Sequence, residues 1–179
     1  IDGVGNAAKM QQQKTRRFKS TKNTEKMVNP YFSTRAFTPG TNIMIKVDQA
    51  ITKWLKSAKN LPEKTLYSSH LDPGEGEHKI FDYIRNDVHI KGDGANIVYG
   101  ADNDLFILTL LCKEKNMYLY KDDFNILYDM NNAKEQTIRF MEFDNCDPDK
   151  SLVDFSILMT FAGNDFLPQN NNFGIRNNK

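Results

Sequence analysis

Cysteine is scarce. Cys112 and Cys146 are the two in 179 residues, too few for a disulfide framework, and buried thiols in a reducing, intracellular compartment are the expectation. No apolar run approaches the roughly 20 residues that span a bilayer, and no secretory signal is visible. A dominant charge is missing as well. The 24 Lys and Arg against 23 Asp and Glu leave a net +1, so no global field selects nucleic acid or membrane and such a signal must be local. The three histidines, His70, His78 and His89, have no Cys or His partner at metal spacing, which argues against zinc. "DNCDPDKS" (144–151) lacks the glycine and terminal glutamate of a calcium loop. No internal repeat is visible. The single tryptophan, Trp54, sits in an amphipathic stretch where packing or partial burial is expected.

What is present is a domain-sized chain, 39% hydrophobic and 26% charged, sufficient for a packed core. It opens on "IDGVGNAAK" without an initiator Met, and "IDG" reads as the end of a strand. "NNNFGIRNNK" at the other end reads as frayed or cut, so a partial domain is expected. Strand-like and helix-like pieces alternate. Residues 7–20 hold good helix formers without Gly or Pro. "TPGTN" (38–42) is a turn into a helix with Thr41 as N-cap and Met44, Val47, Ile51 and Leu55 on one face. Strands are expected at 65–69, 95–100 and 117–121. Helices are expected after "PGEGEHK", over 104–112, and over 151–163, the last mostly buried. The polar stretch 129–150 reads as a loop or insertion. The alternation predicts an α/β fold with a mainly parallel sheet flanked by helices.

Carboxylates gather in turns that follow strand-like pieces. Glu75 and Glu77 lie in "PGEGEHK", Asp102 and Asp104 in "GADND", Asp165 in "AGNDFLP", and Asp2 after the presumed strand end. The C-terminal edge of a sheet is where α/β folds place ligands. Each acid alone also suits a helix N-cap or first turn. Capping, however, does not call for paired acids twice. Six anions in one pocket require cations, and hard oxygen ligands select Mg²⁺ or Mn²⁺. Two such ions about 4 Å apart form a clamp for phosphodiester cleavage.

A second constellation is cationic. Lys9, Gln13, Arg16 and Arg17 share one helical face at spacings of three and four. Two guanidiniums, an ammonium and an amide donor suit a phosphate; a solvated basic face is the bland alternative. The preceding "GVGNAA" fits the dinucleotide pattern G-x-G-x-x-A only weakly, because no strand is visible before it and a basic stretch follows.

Five blocks, "IDGVGNAAKMQQQKTRRF", "FTPGTNIM", "PGEGEHKIFDYIR", "YGADNDLFIL" and "FAGNDFLP", occur in this order with fitting gaps, to about Pro168. Together they resemble the N-terminal nuclease region of the XRN family of 5′→3′ exoribonucleases. The resemblance implies a FEN/PIN-like nuclease fold, incomplete at both ends, over 1–179, with 169–179 as a frayed or truncated end. It implies processive degradation of single-stranded, 5′-monophosphorylated RNA to mononucleotides with Mg²⁺ or Mn²⁺, in cytoplasm or nucleus. Asp2, Glu75, Glu77, Asp102, Asp104 and Asp165 match the family's metal-binding acids, and Lys9, Gln13, Arg16 and Arg17 its 5′-phosphate pocket. Asn103 stands where an Ala is common, "QNNNF" replaces His-Leu-Pro, and "LLCKEKNMYLYKDD" is a looser match. A flap-type DNA nuclease on the same fold and a catalytically inactive RNA-binding relative are the alternatives.

Overall fold

A computed structural model describes residues 1–24, with side chains to Lys19, and residues 36–86, 93–141, 147–163 and 167. Two compact units divide the chain, Ile1–Lys79 and Ile80–Lys179.

The first unit carries α1 (Ala7–Thr24) and α2 (Asn42–Ser57). Asn6 starts α1: its Oδ1 accepts the Lys9 N–H at 2.8 Å, satisfying one of the donors that a helix start leaves open. Thr41 caps α2 as expected, accepting from the Met44 N–H at 3.4 Å. Met44 is buried and Val47, Ile51 and Leu55 are half-buried, which confirms the predicted face. Trp54 is instead 57% exposed, because it sits off that stripe.

The expected strand at 65–69 does not form: this segment has no ladder partner among the described residues. Its polar groups go elsewhere. The Ile1 ammonium donates to the Ser68 carbonyl at 3.1 Å, and the Tyr67 hydroxyl donates to Asp48 Oδ1 at 2.8 Å. Loss of water around the ring, then the Asp48 hydrogen bond and charge, push the Tyr67 pKa up to about 12.

Residues 1–4 are clasped against 68–79. Gly3 N–H donates to the Gly74 carbonyl at 2.8 Å, and Gly74 N–H to the Val4 carbonyl at 2.9 Å. Lys79 Nζ donates to the carbonyls of Ile1 and Ser69, both at 2.9 Å. Gly3 is required by contact, since a Cβ there would lie 1.8 Å from the Asp72 carbonyl oxygen. Gly5 gives Lys9 its room, with a Cβ there 3.2 Å from Lys9 Cβ. The glycines of "GVGNAA" thus serve close packing of backbone.

The second unit holds a three-stranded sheet in the order β1 (Asn96–Tyr99), β2 (Met117–Lys121), β3 (Ile126–Asp129). The expected strands 95–100 and 117–121 are there and pair in parallel, Val98 opposite Leu119. β3 pairs antiparallel with β2, so the described sheet is mixed. A 3₁₀ turn, Asp122–Phe124, and Asn125 in the left-handed region (φ 51°) reverse the chain between them, which Asn tolerates. α3 (Gly76–Asn86) runs into this unit, and α4 (Asp104–Leu110) is the crossover between the parallel strands. Phe81, Ile84, Val98, Leu105, Leu110, Met117, Leu119, Met130 and Leu152 form the core.

The stretch 129–150 is not the expected loop. α5 (Met130–Met141) occupies most of its described part. Asp129 Oδ1 caps it, accepting from Asn131 N–H at 2.9 Å and Asn132 N–H at 3.2 Å. Met130, Ala133, Thr137, Ile138 and Met141 make an inward stripe inside a polar sequence. α6 (Pro148–Phe161) starts at its Asp147 N-cap with Pro at the first turn. It is not mostly buried: Ser151, Leu152 and Ser156 are covered, but Val153, Ile157 and Leu158 are 47%, 51% and 45% exposed. Its chief neighbour is α5, and one neighbour covers one stripe of a helix that is apolar on several sides. Among the described residues, no helix is long and apolar enough to cross a membrane.

Candidate metal centre and phosphate-binding helix

The acidic turn of the first unit is built by its glycines. Gly74 has φ +102°, a left-handed conformation that favours glycine. Gly76 is the first residue of α3 and donates its N–H to Asp2 Oδ1 at 2.7 Å. Asp2, 74 residues away in the chain, is thereby brought to the Glu75–Glu77 turn, and it also caps α3 from outside. The preceding loop is fixed by Asp72, whose Oδ2 accepts from Ser68 Oγ at 2.9 Å and the Ser69 N–H at 3.0 Å. The Ser68 bond, then the Ser69 bond, hold the Asp72 carboxyl below the usual carboxylate range.

Glu75 is 8% exposed. A carboxylate this buried needs a cation, and Lys9 Nζ supplies it at 2.6 Å from Oε2, itself 9% exposed. The basic helix α1 therefore meets the acidic turn directly. Glu77 lies in the first turn of α3, where the helix end favours negative charge. Glu75, Glu77 and His78 each offer one ligand atom, all within 4.8 Å of one another, a group able to hold a metal ion. Two carboxylates and a nitrogen suit a divalent cation. Sequence reasoning set His78 aside for want of a Cys or His partner; spacing to the two glutamates was the signal.

Further along α1, Gln13 is half-buried and Arg16 exposed. Arg17 NH1 donates to Thr38 Oγ1 at 3.2 Å. Lys9 and Arg17, two of the four residues expected to bind a phosphate, are thus engaged with Glu75 and Thr38.

Asp102 and Asp104 stand in the second unit, in the loop that leaves the C-terminal end of β1. Both are exposed. Asp102 Oδ1 accepts the Asp104 N–H at 3.4 Å, and Asp104 opens α4. Asn103 between them accepts from Lys121 Nζ at 2.6 Å. Lys121, 6% exposed at the end of β2, is a buried cation that sequence reasoning missed. Its place on the inward face of "MYLYK" was the available signal, and it gives Asn103 a role that Ala could not fill. Asp165 lies outside the described residues, as do His89 and Cys146.

A family profile described as "XRN 5'-3' exonuclease N-terminus" matches residues 1–123. The chain is 31% identical over 211 residues to the 5'-3' exoribonuclease 1 of Schizosaccharomyces pombe, covering 94% of this chain and 16% of that protein. It is 27% identical over 215 residues to the 5'-3' exoribonuclease 1 of Saccharomyces cerevisiae, covering 94% and 14%. The Homo sapiens 5'-3' exoribonuclease 1 is 33% identical over 144 residues, covering 69% and 8%. The chain thus spans less than a fifth of the length of these three relatives.

Proposed function

The chain belongs to the XRN 5′-3′ exonuclease family, and on that premise we propose that it is the metal-binding part of a 5′→3′ exoribonuclease with a FEN/PIN-like fold. Its substrate is single-stranded RNA with a 5′ monophosphate, degraded processively to mononucleotides. Asp2, Glu75, Glu77, Asp102, Asp104 and Asp165 are the ligands for two Mg²⁺ or Mn²⁺ ions. Lys9, Gln13, Arg16 and Arg17 are the pocket for the terminal phosphate. The observation that carries this function is the buried Lys9–Glu75 pair at 2.6 Å, because it puts the basic helix and the acidic turn in one place.

Divalent ions bound there would activate water and stabilise the leaving oxygen. The chain's own residues do the positioning. The α1 guanidiniums bind the terminal phosphate through paired N–H donors and so set which linkage lies over the carboxylates. Because each cut exposes a new 5′ phosphate, the same pocket takes the shortened RNA again. Clasping of residues 1–4 on 68–79 fixes Asp2 beside the acidic turn, so the ligands need little ordering when the ions arrive.

The test compares 3′-labelled RNAs bearing a 5′ monophosphate, a 5′ hydroxyl or a 5′ triphosphate, with Mg²⁺. Loss of the monophosphate RNA alone, without ladder intermediates, is expected. Glu77→Gln and Asp104→Asn should each abolish cleavage while RNA binding persists. Cleavage blind to the 5′ end would favour a flap-type nuclease. Wild-type rates in either variant would overturn the ligand assignment.

A further inference from the structure

Lys9 and Glu75 belong to two different constellations, yet in this structure they hold each other. Lys9 Nζ lies 2.6 Å from Glu75 Oε2, and both residues are buried, 9% and 8% exposed. Glu75 is also one of three residues whose ligand atoms lie within 4.8 Å. An ammonium at hydrogen-bond distance from a metal-ligand carboxylate satisfies the charge that a divalent ion would take. Two cations on one carboxylate repel strongly where water is largely excluded.

We propose that Lys9 is an exchangeable cation: it holds Glu75 while the metal is away, and on metal loading its ammonium leaves Glu75 and joins Gln13, Arg16 and Arg17 as a phosphate ligand. The inference rests on the metal and phosphate roles proposed above and adds their coupling. The lysine stem suits the task, being a flexible four-carbon chain with a compact charge. Its base is held in register by Asn6 and by the close pass of Gly5, so the head group can swing while α1 stays still. Metal binding then readies the phosphate pocket, and by linkage phosphate binding tightens the metal to the same degree. Without metal the pocket lacks one of its cations. The protein therefore does not hold a 5′ end firmly before it can cut.

Three measurements on the full chain test this. The first is reductive methylation of Lys9, followed by mass spectrometry. Lys9 should react slowly without Mg²⁺, several-fold faster with Mg²⁺, and slowly again when adenosine 5′-monophosphate is added. Lys134, half-buried and bonded through Nζ to the Cys112 carbonyl, is the internal reference and should not change. The second is binding of adenosine 5′-monophosphate with and without Mn²⁺. Affinity should rise about 5- to 150-fold with metal. The third repeats metal binding with Lys9→Met, followed by the spin-resonance signal of free Mn²⁺. The variant should bind Mn²⁺ more tightly than wild type and lose most of the metal dependence of nucleotide affinity. Should Lys9→Met fail to fold, the methylation series on the wild-type chain decides alone. Mn²⁺ binding with Lys9 still protected would overturn the exchange and leave the metal site standing. No Mn²⁺ binding to wild type at millimolar concentration would overturn the metal site and the exchange together.

Discussion

Gly3→Ala is the sharpest probe of the clasp. A Cβ on Gly3 would sit 1.8 Å from the Asp72 carbonyl oxygen, and backbone cannot yield as a side-chain tip does. The strain has a ceiling, because the chain can release residues 1–4 instead of compressing the contact. Release gives up the Gly3–Gly74 and Gly74–Val4 bonds, worth about 1 kcal/mol each, and three bonds to charged groups, Gly76 to Asp2, the Ile1 ammonium to Ser68 and Lys79 to Ile1, worth about 1.5–3 kcal/mol each. The freed residues regain backbone entropy, which lowers the net cost to about 2–3 kcal/mol, in line with other overpacked sites. The assay is amide exchange at Gly3, Gly74 and Gly76 together with urea unfolding. Protection at these three amides should fall while amides of β1 and β2 keep theirs, and Mn²⁺ affinity should drop because Asp2 no longer sits at Gly76. Gly94→Ala, with nothing within 4 Å of its Cβ, should stay within about 0.5 kcal/mol of wild type. Wild-type protection at Gly74 and Gly76 in Gly3→Ala would show that the close approach does not hold the clasp.

The double change Arg16→Ala with Arg17→Ala should erase the preference for a 5′ phosphate over a 5′ hydroxyl; an unchanged preference would put the pocket elsewhere. Asp72 has its pKa lowered by bonds to Ser68 and Ser69, so the unfolded chain binds more protons and the contribution to stability is present above the unfolded value, about 3.9. It is lost as pH falls through the lower folded value. Urea midpoints measured below pH 5 should therefore decline less steeply in Asp72→Asn than in wild type, and parallel curves would refute the link. Leu119→Ala removes a fully buried side chain and should cost about 2–5 kcal/mol in urea unfolding; a cost under about 1 kcal/mol would mean that the core closes around the gap. Tyr67, raised to about 12, contributes stability below pH about 10 that is lost as pH rises through about 12. Ultraviolet titration should show a late tyrosinate component that is lost in Tyr67→Phe.

Periodic apolar signals made α2, β1, β2 and α4 legible in the sequence. α5 was missed because Asn131, Asn132, Lys134, Glu135, Gln136 and Arg139 outnumber its inward stripe, and average polarity hides a period of 3.6. The short β3 was masked by the same polar neighbourhood. "TLYSS" has strand composition, but its hydrogen bonds go to Ile1, Asp48, Asp72 and Lys79, so local turn bonds to Asp72 and tertiary contacts together override that composition. At the candidate centre, residue types were readable because metal and phosphate chemistry restrict them. Their pairing was not: that Lys9 would meet Glu75 depends on how α1 emerges from Gly3 and Gly5. Lys121 was hidden for a similar reason, since a lysine reads as surface until its strand register turns it inward.

The clasp also has a consequence for the order of folding. Its links join residues 67, 74 and 78 positions apart, whereas α1 and α2 need only their own neighbours. Closing so long a loop has to follow formation of the local elements. On a ribosome adding about 5–20 residues per second, Val4 waits roughly 4–15 seconds before Lys79 even exists. A nascent chain thus carries a finished basic helix well before it has anchored acids, and Lys9 spends that interval without Glu75.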